Sequence, residues 1–416
     1  MTAALIWLIA AAAIAGVLFR PRDWPEAVWA CLGALILVIF GFLPLATAGT
    51  AIAKGSDVYL FLTGMMLLSE LARREGLFDW LASLSVKAAK GSPARLFLLV
   101  YLVGTAVTIF LSNDATAVVL TPAVYAAVKK AGTRALPYLL ICAFIANAAS
   151  FVLPISNPAN LVVYGKHLPA LLPWLRTFLV PSICSILATY AALRWISRKD
   201  LGDKVQDGGG AAELRREGRF AAWGVIATGA ILIGASGFGL DLGLPTCVSA
   251  AVAVLLVTRA QGKALSEIVK GVSWSVLPLV AGLFVLVEAV NRAGALREVG
   301  SILDACARMP DVWGAMAASF GIAGLSNLVN NLPSGLLAGG ALQTIRLSPH
   351  IRDAVLVGVD LGPNLSVTGS LATVLWLIVL RREGEQISGW EFLKKGLFVM
   401  LPALFLATLA VSLLPN

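Results

Sequence analysis

Ser112-Asn113-Asp114-Ala115-Thr116 interrupts an apolar course, with residues 94–111 before it and 115–129 after it. Each flank is too short or too interrupted to make a comfortable membrane span, which takes about 20 apolar residues. The stretch therefore predicts a re-entrant hairpin with a polar tip at Ser112–Asp114. The pattern returns 217 residues later, where Asn330-Asn331-Leu332-Pro333 stands in place of Asn113-Asp114. Working outward, Gly64, Glu70, Arg74 and Gly76 meet Gly282, Glu288, Arg292 and Gly294 at an offset of 218. Asn147, Asn157 and Asn160 meet Asp360, Ser370 and Thr373 at 213, and Lys54-Gly55 meets Lys270-Gly271 at 216. Anchors in one order, with offsets drifting by at most five, predict a duplicated unit. The reading is a first repeat at 1–197, a polar cytoplasmic linker at 198–219 and a second repeat at 220–416.

Composition agrees with membrane helices. Of 416 residues, 59% are hydrophobic and 13% charged, and the mean hydropathy is +0.87. A soluble domain has about 25% charge and roughly 45–50% apolar residues. The 32 Lys and Arg against 23 Asp and Glu fall between apolar segments, as cytoplasmic loops collect them, so no nucleic-acid partner is inferred. Cys31, Cys142, Cys184, Cys247 and Cys306 stand singly with no metal-ligand spacing, against a disulfide framework or zinc site. The N-terminus lacks a basic n-region and reads as a first span.

Within the first unit, spans fall near 3–19, 26–46 and 57–72. An amphipathic stretch, Arg73–Pro93, precedes the hairpin; its counterpart is Arg292–Pro310. There Leu296, Val299, Ile302, Leu303 and Cys306 share a face against Arg297, Glu298, Asp304 and Arg308, the pattern of an interfacial helix. A segment at 135–165 is broken by Asn147, Pro154, Asn157, Pro158 and Asn160, and a span at 170–196 closes the unit. The predicted fold is all-α and polytopic: two inverted repeats of five transmembrane helices, each with one re-entrant hairpin and one broken helix. With both termini outside the cytoplasm, 24 of the 32 Lys and Arg lie inside, the expected bias.

Four segments place polar groups at membrane depth, where only protein or a water-filled cavity tolerates them. They are 111–116, 147–160, 326–333 and 360–370. Substrate-binding candidates are Ser112, Asn113, Thr116, Asn147, Ser150, Asn330, Asn331, Ser366, Thr368 and Ser370. The bland alternative is that such groups glue helices together or mend Pro and Gly breaks. Asp114 and Asp360 are the acids placed deepest. Burial penalises a charged carboxylate, making both candidates for proton coupling, the alternative being permanent pairing with amide donors. Glu70–Arg74 and Glu288–Arg292 read as structural i, i+4 pairs. Cys142 is packing or a contact for a thiophilic substrate. His167 and His350 fall in predicted outer loops, and Trp24, Trp174, Trp195 and Trp223 in interfacial belts. Nothing matches a catalytic triad, a P-loop or an HExxH site, so no enzyme, cofactor or metal is expected, and no ATP-driven pump in this chain alone.

Ser112-Asn113-Asp114-Ala115-Thr116-Ala117-Val118-Val119-Leu120-Thr121-Pro122 resembles the first hairpin of the arsenite/antimonite efflux (ArsB) family, within the ion transporter superfamily. Asn330-Asn331-Leu332-Pro333 resembles the second. Asp360-Leu361-Gly362-Pro363 with Gly369-Ser370-Leu371-Ala372-Thr373-Val374-Leu375-Trp376 resembles its most distinctive stretch. The resemblance implies an inner-membrane transporter that exports arsenite and antimonite, as neutral trivalent hydroxides, in exchange for protons, in some systems with a soluble ATPase subunit. Sodium/proton antiport, sodium-coupled carboxylate symport and a passive channel for neutral hydroxides remain open.

Overall fold

In a bilayer an apolar segment must satisfy its own backbone, which a helix does internally. The computed structural model describes residues 2–165, 168–202, 205–206, 213–262 and 265–414, and among these it has twenty α-helices and no strand. His167, Lys204, Lys263 and part of the 198–219 linker lie outside the described residues. The first ten helices are α1 (Thr2–Phe19), α2 (Glu26–Ile39), α3 (Leu45–Lys54), α4 (Ser56–Arg74), α5 (Leu77–Ala89), α6 (Pro93–Leu111), α7 (Thr121–Lys130), α8 (Leu136–Ala148), α9 (Pro158–Tyr164) and α10 (Leu171–Ile196). The next ten are α11 (Arg216–Gly237), α12 (Gly243–Gln261), α13 (Leu265–Gly271), α14 (Val276–Arg292), α15 (Ala295–Ala307), α16 (Asp311–Val329), α17 (Asn331–Leu342), α18 (Pro349–Leu361), α19 (Leu371–Arg382) and α20 (Gly389–Leu413).

Six helices, α1, α6, α10, α11, α16 and α20, are long and apolar enough to cross a membrane, and up to eight spans result if the bent pairs α3–α4 and α13–α14 each count as one. The chain is thus a multi-pass membrane protein. Leu8, Leu187, Leu256 and Phe398 are among the large apolar side chains exposed along its helices, a surface suited to lipid. Two details depart from the sequence reading. The first arms of both hairpins, α6 and α16, have 19 residues each and are long enough to span, so it is their polar ends, not their length, that sets them apart. The expected span at 26–46 stops at Ile39, because Gly41 turns to φ +72° and Pro44 opens a new helix.

The amphipathic stretches form α5 and α15. Leu303 and Cys306 are buried as expected, but Ile302 is 59% exposed, because the helix turns its packing stripe through Ala295, Gly300, Leu303 and Cys306. Trp24, Trp195 and Trp223 are exposed, whereas Trp174 is fully buried. Its indole packs on Tyr164 and Phe178 and donates to the Phe151 carbonyl at 3.1 Å, so it is a core residue and not part of a belt.

The early helices of each half lie against the other half. A Cβ on Gly64 of α4 would sit 2.6 Å from the Thr246 backbone of α12, and one on Gly282 of α14 would sit 2.8 Å from the Ala30 backbone of α2. Small residues of this kind let helix backbones touch. Helices α1–α3 and α14, joined by Ala295 of α15 and Leu337 of α17, share a second hydrophobic core. Ion pairs cross between the halves as well: Lys54 Nζ reaches Glu288 at 3.1 Å and Arg74 reaches Glu267 at 3.1 Å. The predicted i, i+4 pairs are present, Arg74 with Glu70 at 2.7 Å and Arg292 with Glu288 at 3.7 Å.

Candidate functional site

Both hairpin tips carry the same backbone irregularity. Ser112 follows α6 with φ +109°, ψ 163°, and Asn330 follows α16 with φ +77°, ψ 154°. This region is nearly reserved for glycine, and a side chain there costs about 1–3 kcal/mol. The Asn330 side chain accepts from Leu332 N at 3.4 Å, capping α17, while Asn113 Oδ1 accepts from Asp114 N at 2.9 Å. Beyond Asp114 the chain widens into a π-helical turn, Ala115–Leu120, a feature frequent at functional sites. Thr116 and Thr108 hydroxyls, 2.8 Å apart, tie the two arms together.

Each broken helix restarts at a capped residue. Asn157 Oδ1 accepts from Ala159 N at 3.0 Å with Pro158 in the first turn of α9, a favourable helix start. Ser370 Oγ accepts from Thr373 N at 3.1 Å to start α19. The gap after α8 is mended by Asn160, whose amide donates to Ser150 O at 2.9 Å. The gap after α18 is mended by Asn327, which donates to Gly362 O at 2.8 Å and accepts from the Ser366 hydroxyl at 2.6 Å. Thr368 donates to the Asn327 carbonyl at 3.1 Å.

These parts converge. A cavity of about 40 Å3 is lined by Asn113 and Asp114 of the first tip, Asn330 and Asn331 of the second, Asn157 and Pro158 of one restart, and Ser370 and Leu371 of the other. A second cavity, of about 270 Å3, shares Asp114 and Pro158 with it, adds Ser112, and follows α4 through Phe61, Met65, Ser69 and Arg73. The twelve helical steps from Phe61 to Arg73 span roughly 18 Å, ending at Arg73, whose side chain is 49% exposed. Asp114 lines both cavities, and its carboxylate has no hydrogen-bond partner among the described residues.

Asp360 lies behind the small cavity and is fully buried. One carboxylate oxygen accepts from Asn157 Nδ2 at 2.9 Å, and the other lies 2.8 Å from Ser150 Oγ. Beside it Asn147 Nδ2 donates to Asn364 Oδ1 at 3.0 Å, and Asn364 donates to the Phe144 carbonyl at 2.9 Å. Asn147 Oδ1 is buried with no donor among the described residues.

The twelve sequence candidates thus fall into groups. Asn113, Asp114, Asn330, Asn331 and Ser370 line the small cavity and Ser112 the larger one. Thr116 is buried between hairpin arms. Asn147, Ser150 and Asp360 form the buried cluster behind, while Ser366 and Thr368 bind Asn327. Cys142 is buried and lines neither cavity. Asn157, Asn327, Asn364 and Thr373 also take part, and none was singled out as a site residue. The signal for Asn157 was its position before Pro158, which marks a helix cap. Asp353 is also buried, accepting from the Tyr164 hydroxyl at 2.7 Å.

The family profile described as CitMHS, Citrate transporter, matches residues 5–359. The chain belongs to the CitMHS family. Its resemblance to arsenical pumps extends far beyond the motifs. An arsenical pump membrane protein of Yersinia enterocolitica is 29% identical over 84% of each chain. One from Escherichia coli strain K12 is 26% identical over 95% of each. A putative arsenical pump membrane protein of Bacillus subtilis is 25% identical over 94% of this chain and 95% of its own. In three dimensions this CitMHS member is similar to the Alcanivorax borkumensis YdaH transporter, whose crystal structure is described as having an unusual topology. The TM-score is 0.58 at 15% identity, covering 93% of this chain and 96% of that one, so the fold is shared. Membership makes the chain a membrane transporter.

Proposed function

We propose that this chain is a secondary transporter that exports arsenite and antimonite from the cytoplasm in exchange for protons. The observation that carries the reading is the small cavity where both hairpin tips and both helix restarts meet. Its polar lining is amide, hydroxyl and one carboxylate, with no Lys or Arg. A trivalent hydroxide is neutral, and short donors and acceptors replace its hydration shell without a cationic clamp. The volume supports a small solute, since roughly 10–15 Å3 of such space already admits one water. The names of the arsenical pump relatives point the same way.

The mechanism rests on two inverted repeats, 1–197 and 220–416, whose hairpins enter from opposite sides, in an inner membrane with both termini outside. In this reading the cavity along α4 is the cytoplasmic approach, and Asp114 at its inner end exchanges protons with water. Proton and solute then compete for the tips, and the substrate-binding elements move against the remaining spans. A soluble ATPase subunit, where one is used, would dock on the cytoplasmic face.

Sodium-coupled carboxylate symport is the second reading. The family description favours it, as do the starts of α17 and α19 at the cavity, since helix N-termini attract anions. Arsenite uptake into everted vesicles, with and without a proton gradient and at zero and added sodium, separates the two. Gradient-driven accumulation without sodium is expected. Sodium-dependent citrate movement with no arsenite uptake would replace the first reading by the second, and arsenite equilibration without accumulation would identify a channel.

A further inference from the structure

Asn157 stands between the cavity and Asp360. It lines the cavity yet is 1% exposed, and its two amide atoms serve different ends. Oδ1 caps α9 through Ala159 N at 3.0 Å, and Nδ2 donates to Asp360 Oδ1 at 2.9 Å. On the far side of that carboxyl, Ser150 Oγ lies 2.8 Å from Asp360 Oδ2 and 2.7 Å from the Asn147 carbonyl.

A serine hydroxyl has a single hydrogen, so Ser150 cannot donate fully to both oxygens. The Asp360 carboxyl, the Ser150 hydroxyl and the Asn147 carbonyl are all satisfied if Asp360 Oδ2 carries a proton and donates it to Ser150 Oγ, which gives its own hydrogen to the Asn147 carbonyl. Asp360 is then neutral, avoiding the large penalty of an unpaired buried charge. Among the described residues no charged side chain is paired with this cluster. Asp353, on the same helix, bonds to Tyr164 and Arg352, and Asp114 lines the cavities on the other side of Asn157. Of the titratable groups on α8, Tyr138 bonds to the Pro93 carbonyl and Cys142 to the Tyr138 carbonyl.

We propose that Asn157 is the positioning residue that links the cavity to the proton on Asp360, with Ser150 holding that proton from the opposite oxygen. A solute that draws the Asn157 amide toward the cavity withdraws a donor from Asp360 Oδ1, so solute and proton sense one another through a single side chain. The inference rests on the proton-exchange reading only for its purpose; the protonated carboxyl itself is tested without transport.

The experiment is infrared spectroscopy of the full chain in lipid nanodiscs, following the carboxylic C=O stretch. Wild type is expected to show a band that disappears in Asp360→Asn and moves on adding arsenite. Asn157→Ser keeps a capping oxygen but is too short to reach Asp360. Its band is expected at higher frequency, since the carbonyl has lost a donor, and unmoved by arsenite. Ser150→Ala, which removes the acceptor of the Oδ2 proton, is expected to move the band as well, and serves if Asn157→Ser does not fold. Absence of any band assignable to Asp360, or a band unmoved by these substitutions, overturns the inference. A band that responds to Asn157→Ser, in a protein where arsenite moves neither the band nor into vesicles, upholds the link and sinks the arsenite reading alone.

Discussion

Two acids at comparable places in the site have opposite surroundings. Asp114, on the first hairpin tip, lines both cavities and has an unpartnered carboxylate among the described residues. Asp360, at the end of α18, is sealed from solvent between Asn157 and Ser150. The first borders cavity space and the second does not, so under the proposed function the acid that trades protons with an aqueous phase and the acid that holds a proton inside the fold are separate residues. Their counterparts at the matching offsets are Asn331 and Asn147, which leaves one acid per half, each at a different kind of position.

The sharpest way to break that contrast is Asp360→Ala. It strands the Asn157 amide donor and leaves the Ser150 oxygen without its own donor in a sealed site, and the expected loss is about 2–5 kcal/mol, seen as a lower thermal midpoint in detergent together with lost transport. Asp360→Asn should still insert while transport is severely reduced. Asp114→Asn should lower gradient-driven arsenite uptake by about 100-fold, the scale of losing one proton-transfer group. Its thermal midpoint should stay at the wild-type value, because that carboxylate holds nothing together. A midpoint that falls as far as in Asp360→Ala would erase the distinction.

Smaller changes sharpen the comparison. Ser150→Ala is expected to cost about 1–3 kcal/mol in the same melts, since it leaves the Asp360 carboxyl and the Asn147 carbonyl each short of a partner. Ser112→Gly relieves the positive φ beside Asp114 and should raise stability by about 1 kcal/mol. Asn330→Gly should gain less, because the Asn330 side chain also caps α17. Equal gains at both tips would mean that the cap contributes nothing.

Much of this was legible in the sequence for one reason: polar residues and prolines in apolar runs must be accounted for at membrane depth. That logic located both tips and both breaks, and the structure brings Asn113, Asp114, Asn330, Asn331 and Ser370 to one cavity. What stayed hidden depends on partners far along the chain. Asn157 meets Asp360 across 203 residues, and Ser366 meets Asn327 across 39, so nothing local distinguishes a hydroxyl facing a solute from one mending a carbonyl gap. Trp174 misled for the same reason. Its position near a helix start fits an interfacial belt, while its carbonyl partner, Phe151, lies in the break of the preceding helix.

The close approach of Gly282 to Ala30 has a consequence in time. The two residues are separated by 252 positions, so α2 emerges long before the helix it packs against. At roughly 5–20 residues per second of synthesis, α2 waits on the order of 10–50 s in the bilayer with its small-residue face unfilled. During that interval the nascent chain exposes a groove that lipid, or another newly made helix, occupies first, and α14 must displace that occupant to complete the fold.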